Sequence, residues 1–144
     1  MNRRPLWLIT AWFAGLTGCS SGSSPAASVA AAPDAAAPDA DAGERIYRGN
    51  CIACHQENGS GLPGVYPSLA GSPVVLGSPA ELARWVVKGQ RPIAIPEGRY
   101  STAMPRFGWM KARDGAALLT YLRSHFGNAA PPVSEPAVVQ ALGE

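Results

Sequence analysis

The sequence is poor in charge, in aromatic side chains, in cysteine and in histidine. Only 15% of its 144 residues are charged and 47% are apolar, so the chain as a whole is not an acidic or basic disordered tail. Aromatics make up 8%, and β-branched runs are scarce, which argues against a β-sandwich. The apolar run 6–16 is broken by Thr10 and Gly15 and is too short to cross a bilayer as a permanent helix. With 14 Pro and 16 Gly the chain is rich in loops, against a long regular bundle. A body this small buries little apolar surface of its own, so a staple, a metal or a large cofactor is expected.

The formal net charge is +2. Between Gly43 and Asn128 basic residues outnumber acidic ones, but they are scattered and not interleaved with aromatics. That pattern argues against nucleic acid and for an acidic protein partner or anionic groups on a cofactor.

Arg3 and Arg4 precede the apolar run, as the positive start of an export signal does. The run ends in Leu16-Thr17-Gly18-Cys19, which resembles the cleavage box of bacterial lipoproteins. The resemblance implies a signal peptide over 1–18 and lipidation of Cys19, whose acyl chains would anchor the protein in a membrane on the periplasmic side. Residues 19–41 are mostly Ala, Ser, Pro and Asp, with Pro25, Pro33 and Pro38 too frequent for a helix; they read as a flexible tether. Residues 42–128 read as the folded domain. Residues 129–144, with Pro131, Pro132 and Pro136, read as a loose tail with Val138, Val139 and Leu142 as weak anchors.

The chemistry lies in Cys51-Ile52-Ala53-Cys54-His55, the C-x-x-C-H signature of covalent haem c attachment. Two thiols one helical turn apart can add to two vinyl groups of one porphyrin, and the next residue offers an imidazole to its iron. A zinc site would need further ligands, and His125 is the one other histidine. A redox dithiol would need a βαβ setting, and a disulfide between such close neighbours stabilises little. Cys19 for lipid and Cys51 and Cys54 for haem use up all three cysteines.

A haem in an electron carrier needs a second axial ligand, and the downstream candidates are Met104, Met110 and His125. Met104, followed by the stiffening Pro105 in the Gly- and Pro-rich stretch 89–108, is the choice; His125 falls on a helix face needed for packing. Thioether ligation favours the reduced iron and raises the potential.

Helical patterns cover 43–51, then 79–88 behind the capping box Ser78-Pro79-Ala80-Glu81 with Gly89 as the stop, and a third helix from Asp114 to about His125. Val74-Val75-Leu76 is too short for a strand. The expectation is an all-α fold, three to four short helices and irregular loops around one cofactor.

Taken together, Gly43 with Tyr47, the Cys51–His55 motif, Pro67-Ser68-Leu69-Ala70-Gly71, Met104-Pro105 and the closing Leu118-Leu119-Thr120-Tyr121-Leu122-Arg123 resemble a class I cytochrome c domain. The resemblance implies the cytochrome c fold, with Gly43 and Tyr47 meeting Tyr121 or Leu122 where the first and last helices cross. It also implies that the Pro67 carbonyl accepts a hydrogen bond from His55, and that Leu69 packs on the haem. The wording around Pro67 and Met104 is further similar to cytochrome subunits of bacterial membrane dehydrogenases and terminal oxidases, although those often carry two or three haems and this chain has one motif. The function expected is one-electron transfer with redox protein partners, not catalysis of its own. The alternative is a haem peroxidase or gas-binding sensor with an open distal site. No nucleophile elbow, phosphate loop or carboxylate pair suggests an organic-substrate enzyme.

Overall fold

A computed structural model describes residues 39–143. The signal peptide, Cys19 and nearly all of the tether lie outside the described residues.

Each helix starts where a side chain can take up free amides. Asp39 accepts from the amides of Asp41 and Ala42 and opens α1, Ala40–Asn50. Ala40 and Asp41, assigned to the tether by composition, therefore belong to α1. The single turn α2, Ile52–His55, carries the cysteine motif. Ser72 caps α3, Pro73–Leu76, and Ser78 caps α4, Pro79–Lys88, which Gly89 ends in a left-handed conformation. α5, Ala112–Ser124, starts two residues before Asp114, and His125 stands at its C-cap.

The loose tail expected over 129–144 is not what the structure has. Ser134 caps a further helix, α6, Glu135–Leu142, and Gly143 closes it. The prolines that suggested a loose segment sit where a helix tolerates them, Pro136 in the first turn and Pro131 and Pro132 ahead of the cap. Val133, Val138 and Leu142 are buried.

The fold is all-α. Among the described residues there are six helices, two of them single turns, and no strand, with one isolated bridge between Leu62 and Tyr66. α1 crosses α5, where Gly43 meets Ala117 and Tyr121. The Tyr47 ring lies 5.5 Å from Tyr121 and 5.1 Å from Phe126. α6 packs on α4 and α5. None of the described helices is long and apolar enough to cross a membrane.

Two buried polar side chains tie loops to α5. The Asn128 amide donates to the carbonyls of Leu69 and Leu122 and accepts from the amide of Gly71. Arg123 donates to the carbonyls of Val75, Gly77 and Pro131. Every buried side-chain polar atom among the described residues has a partner.

Candidate functional site

The site grows from the end of α1. Cys51 caps both α1 and α2, and its amide donates to Tyr47 O at 2.8 Å. One helical turn follows, with the His55 amide donating to Cys51 O at 2.9 Å. That turn brings Cys51, Cys54 and His55 to the wall of one cavity. Gln56, at a φ of +67°, then turns the chain away, and its carbonyl accepts the Tyr47 hydroxyl.

The loop after the motif folds back on it. The Gly61 amide donates to His55 O, and the Leu69 amide to Gly59 O. This brings the Pro67 carbonyl to 3.0 Å from His55 Nδ1. A carbonyl only accepts, so the proton of the imidazole is on Nδ1 and the lone pair is on Nε2. Burial lowers the His55 pKa below the ordinary histidine value, opposed in part by the Pro67 bond. The ring is therefore neutral at neutral pH, the state in which Nε2 can bind a metal.

The Cys51 thiol is pushed up to about 11, first by burial and then by the neighbouring Cys54. A thiol in that state is a poor nucleophile. Among the described residues no three His, Cys, Asp or Glu side chains form a cluster that could hold a metal ion by themselves.

The rest of the cavity wall comes from α4, α5 and the loop 89–108. An inner recess of ≈ 30 Å³ is lined by Cys51, His55, Pro67, Leu69, Val75, Leu82, Val86, Leu118 and Leu122 among others. It adjoins a wider cavity of ≈ 470 Å³ whose mouth carries Tyr66, Arg91, Glu97, Tyr100 and Thr102. Met104, half-buried, lines both. Its loop is tied by Phe107 N to Val86 O at 2.9 Å and by Ser101 N to Gly64 O at 3.1 Å.

The competing ligands are elsewhere. Met110 is buried in the core beside Gly115 and does not line either cavity. His125 is exposed at the end of α5, its ring stacked on Tyr121 at 3.9 Å. Pro67 bonds His55 through its carbonyl, and both Pro67 and Leu69 line the inner recess. Trp85, which the sequence marked only as part of a helix face, lines both cavities, as does Ile95. The spacing of Trp85 with Leu82 and Val86 carried that signal; Ile95 lies in an irregular loop that carries none.

The volume, the apolar walls, two thiols, a neutral imidazole and a thioether fit a flat, largely apolar macrocycle with a central metal. The family described as Cytochrome c matches residues 40–126. The chain is 33% identical over 92 residues to cytochrome c-552 of Thermus thermophilus, covering 60% of this chain and 70% of that protein. It is 32% identical over 104 residues to the cytochrome c subunit of the quinone alcohol dehydrogenase of Gluconobacter oxydans (strain 621H). It is also 32% identical over 106 residues to the fructose dehydrogenase cytochrome subunit of Gluconobacter japonicus. Those matches cover 71% and 68% of this chain but only 22% and 21% of the two subunits.

Proposed function

This chain belongs to the cytochrome c family, with covalently bound haem c as its cofactor, and we propose that it is a single-haem electron carrier held at the outer face of a bacterial membrane. Haem c supplies a one-electron ferrous–ferric couple. In this reading Cys51 and Cys54 provide the two thioether links, and His55 and Met104 are the axial ligands of the iron. Pro67 orients the imidazole through Nδ1 and raises its basicity. Leu69, Leu82, Val86 and Leu118 keep water from the inner side of the site.

One observation carries the reading. The neutral His55 ring, with Nε2 left free, and the Met104 side chain line one cavity. With both axial positions taken by the chain's own side chains no site remains for a substrate, which favours an electron carrier over a peroxidase or gas sensor. The names of the Gluconobacter relatives support a dehydrogenase as the redox partner. A terminal oxidase is the second partner class.

For the amino-terminal residues we propose a signal peptide over 1–18, a lipidated Cys19 and a tether to residue 41, which together would anchor the domain on the periplasmic side. Cys19→Ala should release the exported protein from membranes into the soluble fraction; a variant that stays membrane-bound overturns the anchor.

The iron ligation is tested by visible spectroscopy. The exported protein should show one low-spin haem that does not bind carbon monoxide, and Met104→Ala should lower the midpoint potential and open the iron to carbon monoxide. A native protein that binds carbon monoxide readily would support the sensor reading instead.

A further inference from the structure

α6 lies beyond residues 40–126, the part matched by the family, yet it is joined to the wall that carries Met104. The last residue of α4 is pinned to the last residue of α6, because the Lys88 ammonium donates to the Leu142 carbonyl. Val138 of α6 is fully buried, with Cγ1 3.4 Å from a Cβ built on Gly115 of α5. The Met110 sulfur lies 4.0 Å from the same point.

Those contacts matter because of how the Met104 loop is held. The loop leaves α4 at Gly89 and returns to the same turn, where the Phe107 amide donates to Val86 O. Met110, whose amide donates to Phe107 O, seats the returning strand of chain in the core. Between Ser101 and Phe107, among the described residues, no backbone group makes a hydrogen bond. Met104 is therefore placed by the two ends of its loop. The incoming end is tied to Gly64 through Ser101, and the returning end rests on the last turn of α4, which α6 touches through Lys88.

We propose that α6 is the positioning element of the distal ligand: it clamps the last turn of α4, to which the returning end of the loop is bonded, and so keeps the Met104 sulfur at the iron. The proposal rests on Met104 being an axial ligand. The proximal side does not depend on α6, since Cys51, Cys54 and His55 are held by Tyr47 O, Pro67 O and the crossing of α1 with α5. Loosening α6 therefore detaches the sulfur before it unfolds the domain.

The test uses the full chain with haem attached. Lys88→Met keeps most of the stem and removes the donor; Val138→Ala removes buried volume. Gly43→Ala, at the α1–α5 crossing, is the control for plain loss of stability. Two denaturant titrations are compared: the ferric absorption of the thioether–iron bond, and the far-ultraviolet ellipticity. In the Lys88→Met/Val138→Ala variant the sulfur should come off at clearly lower denaturant than the helices melt, and the ferrous variant should gain the carbon monoxide binding that the unaltered chain lacks. In Gly43→Ala the two losses should shift together. If the α6 variant also shifts both losses together, with carbon monoxide binding unchanged, α6 is a structural element only and the proposal is overturned. If the double substitution shifts neither loss, α6 does not hold the loop and the proposal is overturned as well. Absence of the thioether absorption from the unaltered protein would instead refute Met104 as a ligand.

Discussion

Gly43 of α1 sits so close to Ala117 of α5 that a Cβ built on it would lie 2.3 Å from the Ala117 carbonyl oxygen. The same atom would be 2.7 Å from Tyr121 Cβ. Neither neighbour is the far end of a flexible side chain, so a methyl group there must push the helices apart. This crossing also holds the end of α1 from which Cys51 projects. Gly43→Ala should cost about 3 kcal/mol of stability, measured by denaturant unfolding of the haem-bound protein. A cost under about 0.5 kcal/mol would mean the crossing is slack.

Tyr47 reports on the same crossing through pH. Burial is the main reason its pKa lies well above the ordinary tyrosine value of 10.0, with the neighbouring Cys51 and Tyr121 adding to it. A folded-state pKa raised above the unfolded one means that the neutral hydroxyl stabilises the fold below pH 10.0 and that this contribution fades as pH rises beyond it. Tyr47→Phe removes both the titration and the bond to Gln56 O, at about 1 kcal/mol at neutral pH. The unfolding free energies of the two proteins should therefore converge between about pH 9 and about pH 11. Parallel curves over that range would contradict the burial of the hydroxyl.

Asn128 ties the loop that carries Pro67 to the end of α5 through three hydrogen bonds to backbone groups. Asn128→Leu fills similar space and leaves the Leu122 carbonyl and the Gly71 amide without a partner, while the Leu69 carbonyl keeps only the Ser72 amide. The expected loss is about 2–4 kcal/mol. Amide exchange should accelerate first at Leu69 and Gly71. Uniform acceleration along the whole domain would show that the side chain acts globally and not on this loop.

What could be read in advance was local. The Cys51–His55 spacing, the Ser78-Pro79-Ala80-Glu81 start and the Gly89 stop each lie within a few consecutive residues, and each stands where expected. Choosing Met104 over Met110 depended on the loop character of 89–108, which is also local. The misreading of 129–144 has a physical cause. α6 is short, begins behind two prolines with a third in its first turn, and is secured by Lys88, while Thr120 and Arg123 hold the segment leading into it. Asn128 and Arg123 likewise look like surface residues until distant carbonyls are brought to them. The one-turn helix α3 was invisible as a helix because four residues carry no period.

The domain without haem should not hold this fold. The walls of the site come from separate segments: α2, the 66–69 loop, α4 and the 89–108 loop face the cavity of ≈ 470 Å³, and α4 and α5 close the inner recess. Apolar side chains such as Leu82, Val86 and Leu118 would lose part of their packing, and the 89–108 loop has few hydrogen bonds of its own to keep its course. α1 and α5 can still meet through Gly43, Tyr47 and Tyr121, so some helix should survive without fixed packing. A Cys51→Ala/Cys54→Ala variant, exported and purified, should therefore show reduced ellipticity and a broad melt. A sharp cooperative transition at the midpoint of the haem-bound protein would mean that the helices pack well enough alone and that the cofactor adds chemistry but little stability.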